Sequence, residues 1–95
     1  MDKYVLAAKK LILDFMRNED AKIYLFGSRA RNTAALSSDI DVAIKYNGAS
    51  NRRKIAALRD ELEESNIPYM VDIVDMNEAA SDLLAEIERE GIEWK

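Results

Sequence analysis

Two β-rich runs joined by a short polar stretch constrain the fold of this chain more than any other feature. The first run, Lys22–Phe26, ends in a Gly27-Ser28 turn, and the second, Asp39–Tyr46, opens with two carboxylates. A helix that starts at such a turn presents unpaired backbone N–H groups, which together with the helix dipole favour an anion. Asp39 and Asp41 stand at i and i+2 of a strand, so their side chains project from one face and can converge on a cation. The stretch is typical of a site that holds a phosphate chain beside metal ions.

Apolar residues at helical spacing predict the helices that cover these strands. The predicted helices run from Asp2 to about Arg17, over one or two turns of Ser28–Asn32, over Asn51–Glu64, and from Asn77 to about Glu90. The predicted N-caps are Asp2, Ser50 and Asn77, and the predicted helix stop is Gly91. The remaining predicted segments are a third strand over Tyr69–Val74, a loop over Thr33–Ser38, and an edge strand or frayed end over Ile92–Lys95.

This order of elements predicts a single domain over residues 1–95 in the α/β (α+β) class, with a small mixed sheet of three or four strands covered by helices. The connection between the first two strands is short, so these strands need not be parallel. The long helix between the second and third strands permits a right-handed crossover, which would make that pair parallel. Alternation in the second strand predicts a core face and a site face: Ile40, Val42 and Ile44 on the first, and Asp39, Asp41 and Ala43 on the second.

Composition excludes several classes of site. The chain has no cysteine and no histidine, which rules out disulfides, thiolate metal sites, catalytic thiols and histidine-dependent triads. Any metal must therefore bind to oxygen ligands, which points to Mg²⁺ or Mn²⁺. The formal net charge of -4 argues against broad binding to nucleic acid or anionic lipid. No apolar run approaches the roughly 20 residues that cross a bilayer, and the first residues do not form a signal peptide, so we expect a cytoplasmic protein.

A third carboxylate, Asp72, falls in the middle of the third predicted strand. A carboxylate that looks buried there needs a cation or a hydrogen-bonding partner. If the second and third strands are neighbours, Asp72 meets Asp39 and Asp41, and three such charges repel one another strongly unless cations lie among them. Two cations about 4 Å apart are the usual clamp for in-line displacement at phosphorus. Asp75, by contrast, is interpreted as a structural acid at the strand end.

Each of these features also has an ordinary explanation. An acidic pair fits the exposed face of any strand, and a Gly-Ser pair after a strand is usually a simple turn. Arg29 and Arg31 are candidates to contact a triphosphate, and they fit equally well as solvated surface cations. A phosphatase or phosphotransferase with an Asp-x-Asp nucleophile is less favoured, because such enzymes place the pair after a strand, whereas Asp39 and Asp41 open one. The combination of turn, cations and acidic strand is far more specific than its parts.

The run Gly27-Ser28-Arg29-Ala30-Arg31, followed by Ser38-Asp39-Ile40-Asp41, resembles the signature of the minimal nucleotidyltransferases (MNT), short members of the DNA polymerase beta-like superfamily. The resemblance covers nearly the whole chain and implies the nucleotidyltransferase fold. It also implies that Gly27 and Ser28 hold the nucleotide phosphates, with Arg29 and Arg31 as candidate contacts.

The resemblance assigns roles to the acids as well. Asp39 and Asp41 would bind the metal ions, and Asp72 would complete the site as a third metal ligand or as a base for the acceptor hydroxyl. Asn32 departs from the glycine that is usual in the family at the end of the turn. Asparagine also tolerates a left-handed backbone, so this change is compatible with the site.

The function implied by the resemblance is attack of a hydroxyl on the α-phosphate of a nucleoside triphosphate, with release of pyrophosphate. ATP is the expected co-substrate, with Mg²⁺ or Mn²⁺ as cofactor. Many relatives are antitoxins encoded beside a HEPN-domain ribonuclease toxin, and some adenylylate a tyrosine of that toxin, so a HEPN toxin is the expected protein partner. The alternative is a binding module of the same fold that neutralises or scaffolds its partner and transfers nothing.

Overall fold

Strands and helices alternate along the chain in the computed structural model, which describes residues 2–31 and 39–95. The described helices are α1 (Lys3–Phe15), α2 (Gly27–Ala30), α3 (Arg52–Glu63) and α4 (Ser81–Glu90). None of these described helices is long and apolar enough to cross a membrane. The described strands are β1 (Ala21–Phe26), β2 (Ile40–Tyr46), β3 (Val71–Asp75) and β4 (Ile92–Glu93). Asn32 and the loop predicted over Thr33–Ser38 lie outside the described residues.

The described strands form one four-stranded sheet in the order β3-β2-β1-β4. β1 is antiparallel to both β2 and β4, whereas β2 and β3 are parallel and are joined through α3. The predicted mixed sheet is confirmed, and the tail forms the edge strand β4 by pairing Ile92 with Leu25. The register places Phe26 opposite Asp41 and Asp41 opposite Asp72, so these residues of β1, β2 and β3 lie side by side at this end of the sheet.

The larger core lies between the sheet and the helices α1 and α3. One face of each helix supplies apolar side chains three or four residues apart, as the helical periodicity predicts. The strands supply alternate residues, because successive side chains of a strand point to opposite faces. The most deeply buried members of this core are Val5, Ala8, Ile12, Met16, Ile23, Leu25, Ile40, Val42, Ile44, Ile55, Leu58 and Ile73.

The helix α4 covers the other face of the sheet over a smaller core. The buried members of this core are Phe26, Ala43, Met76 and Ile87, with Leu83 and Leu84 partly buried against them. The sequence predicts a site face for Asp39, Asp41 and Ala43, but Ala43 is fully buried in this second core. The candidate site is therefore confined to the end of this face that carries the two acids.

Two of the predicted helix caps are wrong, because both side chains bond to residues distant in the sequence. Asn51, not Ser50, caps α3, since its Oδ1 accepts the N–H of Lys54 at 3.1 Å. Ser50 Oγ instead donates to Asp75 Oδ1 at 2.9 Å. Asn77 does not cap α4, which begins at Ser81; its Nδ2 donates to the C=O of Gly48 at 2.8 Å.

Other local predictions agree with the structure. Asp2 caps α1, and its Oδ1 accepts the N–H of Tyr4 at 2.6 Å. Gly91 directly follows the last residue of α4. Asp75 is buried at the end of β3 and accepts the N–H of Asn77 at 3.0 Å in addition to the Ser50 hydroxyl. These hydrogen bonds give Asp75 the structural role expected for it.

Candidate active site

The turn after β1 depends on Gly27 for two separate reasons. Its φ of 73° lies in the left-handed region that favours glycine. A Cβ at this position would overlap the carboxylate of Asp41 and lie 3.3 Å from its carboxyl carbon. The absence of a side chain therefore lets the first turn of α2 and the acidic start of β2 come into direct contact. Ser28, the next residue of the predicted phosphate turn, is half-buried.

The three candidate carboxylates lie at one end of the sheet, on neighbouring strands. Asp41 is the second residue of β2 and is paired in register with Asp72 of β3, while Asp39 immediately precedes β2. Asp41 is half-buried, whereas Asp39 and Asp72 are exposed. The expectation that Asp72 is buried is wrong, because β3 is an edge strand and this side chain opens to solvent. Since the acids open β2 and do not follow it, the Asp-x-Asp phosphatase arrangement gains no support.

The electrostatics of Asp41 reflect this clustering of acids. Burial raises the pKa of its carboxyl above the ordinary value, and the negative charges of Asp72, Asp39 and Glu86 raise it further. Arg31 acts in the opposite direction and lowers it. The raised pKa means that the folded protein holds the Asp41 charge at a free-energy cost, which a bound cation would relieve.

The donor chemistry of the acids fits a hard divalent cation, but their geometry does not form a closed metal cage. Within residues 2–31 and 39–95, no group of three carboxylates converges closely enough to hold a metal ion on its own. Mg²⁺ is commonly bound by one or two carboxylates together with waters and substrate phosphates. The arrangement therefore fits a metal shared between Asp39, Asp41 and a nucleotide, with Asp72 on the exposed side.

Arg29, predicted as a nucleotide contact, is packed between other parts of the fold. Its side chain is only 7% exposed, and its Nη1 lies 3.4 Å from Asp2 Oδ2. Its guanidinium carbon lies 4.9 Å from the centroid of the Tyr69 ring, which Tyr4 meets edge-on. Arg29 thus ties α2 to the start of α1 and to the segment before β3.

Arg31 is exposed and engages acids of α4 that sequence reasoning missed. Its Nη1 donates to Glu90 Oε2 at 2.8 Å and lies 4.0 Å from Glu86 Oε2. This hydrogen bond holds the pKa of the Glu90 carboxyl below its usual range. Glu86 and Glu90 are four residues apart on a helix and so share one face, which was the available signal for their common partner. Arg31 therefore links the turn after β1 to the helix on the site face.

A comparison with protein families identifies one family whose model spans the site described above. The model of the family described as "Polymerase beta, Nucleotidyltransferase" matches residues 9–93, a span that includes the Gly27 turn and the three acids. The chain belongs to this family. A comparison with curated proteins found no match to this chain.

Solved structures share its fold. A protein described as a minimal nucleotidyltransferase has 29% sequence identity and a TM-score of 0.75, with 97% of this chain and 95% of that chain covered. A toxin–antitoxin crystal structure with AMP-PNP contains a chain of 27% identity and TM-score 0.74, with 92% and 72% covered. The complex of a tri-AMPylated HEPN toxin with an MNT antitoxin from Shewanella oneidensis gives 23% identity, TM-score 0.69, and 96% and 71% coverage. The last shows the fold alone.

In this member of the family, the structure brings together most of the residues predicted for the site. Gly27 contacts Asp41, and Asp72 lies opposite Asp41 on the next strand. Arg29 is held elsewhere, against Asp2 and Tyr69. The roles of these residues in binding metal or nucleotide and in catalysis remain predictions.

Proposed function

We propose that this nucleotidyltransferase-family protein transfers AMP from ATP to a hydroxyl group of a partner protein, and that it acts as the antitoxin of a HEPN-domain toxin. Family membership supports a general nucleotidyltransferase. The observation that carries the finer proposal is the contact of Gly27 with Asp41, opposite Asp72. One small region thus offers both a glycine turn for phosphates and carboxylates for metal.

Each residue has a role in the proposed site. The backbone of Gly27 and Ser28 lies near the phosphates, and Arg31 adds a positive charge on the exposed side of this turn. Asp39 and Asp41 hold Mg²⁺ or Mn²⁺ together with the nucleotide. When bound, the metal neutralises charge on the phosphates and polarises the α-phosphate. Burial, followed by repulsion from the neighbouring acids, raises the pKa of Asp41, so the charged carboxylate is disfavoured in the empty site and favoured when a cation is bound.

The proposed reaction is an in-line displacement at the α-phosphorus. The acceptor oxygen forms a bond to the α-phosphorus, and the bond from that phosphorus to the oxygen bridging to the β-phosphate breaks. Pyrophosphate leaves with the electrons of the broken bond. Asp72 is exposed beside the other acids and accepts the proton of the acceptor hydroxyl as a general base, unless it serves as a third metal ligand.

Two observations support the identity of the co-substrate and partner. A toxin–antitoxin structure that contains a chain similar to this one at 27% identity also holds AMP-PNP, an ATP analogue. The sequence motifs resemble those of antitoxins paired with HEPN toxins. ATP and a HEPN toxin are therefore the first co-substrate and partner to test.

A second function, a module that binds its partner and transfers nothing, is compatible with the same arrangement of carboxylates. No three carboxylates of the described residues converge as a metal-binding group. A chain that had kept the fold and lost the geometry for transfer would also lack a group of three converging carboxylates. The two functions differ in whether a covalent bond to the acceptor forms.

The deciding experiment follows label from α-labelled ATP, with Mg²⁺, into proteins of the source-cell extract. Label on a protein band is expected with the unmodified chain and absent with γ-labelled ATP, because only the α-phosphate is retained. The Asp39→Asn/Asp41→Asn variant is expected to give no band. The matched control is Asp14→Asn/Asp82→Asn, which removes the same charge from exposed positions of α1 and α4 and should retain the band.

The companion measurement is Mg²⁺-dependent ATP binding by calorimetry. Binding without any labelled band would favour the silent module. Equal binding by the unmodified chain and by Asp39→Asn/Asp41→Asn would refute the assignment of the metal site. A band labelled equally by both proteins would place the transfer activity outside these acids.

A further inference from the structure

A groove follows the outer edge of β3, the strand that carries Asp72. It has a volume of about 470 Å³. We call it the β3-edge groove, and the residues that define it are Arg59, Leu62 and Glu63 of α3 and Ile67, Tyr69 and Met70 of the segment before β3. Asp72 also lines it, so the groove is continuous with the candidate active site.

The groove offers apolar surface to a partner. Met70 is 69% exposed, the highest value among the large apolar side chains of residues 2–31 and 39–95. Leu62, Ile67 and Tyr69 lie beside it, and Tyr69 is held from behind by Arg29 and Tyr4. Apolar side chains that line one concave surface together, unlike a single exposed one, are typical of a binding site.

The α3 wall of the groove carries one acid, Glu63, and one base, Arg59. The exposed acids Asp60, Glu61 and Glu64 lie at the same end of the helix beside the groove, so this end of α3 is negative overall. The C-terminal end of a helix adds partial negative charge from its unpaired carbonyl groups. Such a negative helix end attracts a cationic segment and repels the phosphates of a nucleic acid.

The edge of β3 also offers backbone hydrogen bonds next to Asp72. Among the described strands, β3 has β2 on one side and no neighbour on the other. Met70 C=O accepts the N–H of Ile40 at 2.9 Å and so faces β2, which turns the N–H and C=O of Val71 to the outer edge. Farther along, Arg59 Nη2 donates to the C=O of Ile73 at 2.8 Å and covers that part of the edge. The accessible length of edge is therefore the part around Val71.

We propose that the β3-edge groove binds the acceptor of the transfer reaction as an extended polypeptide segment with basic and apolar side chains. Its backbone pairs with Val71, an apolar side chain contacts Met70, and a basic side chain lies against Glu63. This geometry carries the acceptor hydroxyl to Asp72. The inference rests on the proposed function, since it names the surface and the substrate class for that reaction.

The test titrates the ¹⁵N-labelled full chain with three probes and follows backbone NMR shifts. The probes are a short peptide in which lysine and leucine flank one tyrosine, the same peptide with glutamate for lysine, and a single-stranded RNA of equal length. Shifts are expected with the lysine peptide alone, centred on Val71 and the end of α3. Shifts confined to another surface, no shifts with the lysine peptide, or equal shifts with RNA would overturn the proposal.

Two pairs of variants separate the groove from general surface effects. Glu63→Lys is expected to weaken binding of the lysine peptide about fivefold or more, because it replaces an attraction with a repulsion. Its matched control, Glu88→Lys, makes the same change at an exposed position of α4 and should leave the affinity unchanged. Met70→Ser should weaken binding, whereas Leu6→Ser, at another exposed apolar residue, should not. Equal affinities within either pair would contradict the groove assignment.

The test of the groove can fail independently of the test of the proposed function. Peptide binding requires neither ATP nor transfer, so an inactive chain still reports whether the groove binds the lysine peptide. Transfer of label into a partner protein that is equally fast for Glu63→Lys and Glu88→Lys would retain the proposed function and reject the groove as the acceptor site.

Discussion

A Cβ at Gly27 would overlap the carboxylate of Asp41, so a side chain fits at position 27 only if that carboxylate moves. The contact joins the end of β1 to the start of β2, which are antiparallel neighbours. It makes the shape of the turn after β1 and the position of Asp41 depend on each other. A change at either residue therefore alters both halves of the candidate site.

Gly27→Ala should lose Mg²⁺-dependent ATP binding and reduce the free energy of unfolding by about 3 kcal/mol. The left-handed φ strains an alanine, and its Cβ displaces the Asp41 carboxylate. Urea unfolding and calorimetric ATP titration measure the two effects.

Gly48→Ala is the matched control, because Gly48 also has a left-handed φ, of 101°, but open space around a Cβ. It should destabilise by about 1–2 kcal/mol and leave ATP binding unchanged. Equal effects of the two substitutions on ATP affinity would show that the contact with Asp41 is irrelevant to the nucleotide.

Asp41→Asn should stabilise the metal-free protein at neutral pH. The folded pKa of Asp41 is raised above its ordinary value of 3.8, so the folded state binds more protons than the unfolded state as the pH rises through that region. The unmodified chain therefore loses stability as the pH rises through this region, and at neutral pH it stays less stable than it would be with an uncharged residue at position 41. The measurement is the thermal unfolding midpoint of both proteins from acid to neutral pH, without divalent cations.

The difference in unfolding midpoint between Asp41→Asn and the unmodified chain should vanish at a pH below the ordinary pKa of Asp41. There Asp41 is protonated in both the folded and the unfolded state. Asp60→Asn, at an exposed position of α3, should change the midpoint little at any pH. An unmodified chain that is the more stable at neutral pH would contradict the raised pKa.

The two acids of β3 should respond to mutation in opposite ways. Asp75→Ala removes the acceptor of the Ser50 hydroxyl and of the Asn77 N–H, and should lower the unfolding free energy by about 2 kcal/mol without abolishing transfer. Asp72→Asn should leave stability within about 0.5 kcal/mol and abolish transfer. Urea unfolding and label transfer from α-labelled ATP distinguish these results; a stable, inactive Asp75→Ala would reverse the assignment.

Mutations of Arg29 and Arg31 should likewise separate stability from ATP binding. Arg29→Met removes a buried guanidinium from Asp2 and Tyr69, and should lower the unfolding free energy by about 2 kcal/mol. Arg31→Met, at an exposed position, should leave the unfolding midpoint unchanged and weaken ATP binding. If Arg29→Met retains its stability and loses ATP binding, Arg29 contacts the nucleotide directly.

The sequence was sufficient for features that are encoded within a few neighbouring residues. The spacing of Val5, Ala8 and Ile12 determined the buried face of α1, and the side chain of Asp2 determined where that helix begins. The glycine turn before an acidic strand indicated the candidate site, because the required residue types lie close together in the chain. The mixed sheet followed from the order of the elements and the length of their connections.

Only the tertiary structure decided which distant groups meet. Ser50 and Asn77 carry side chains suited to capping, but they bond to Asp75 and Gly48. Arg29 turns to Tyr69, and Asp72 is exposed at the edge of the sheet. Local sequence states what a side chain can bond to. Packing of segments far apart in the chain decides which partner is within reach, and hence where the charges of the site lie.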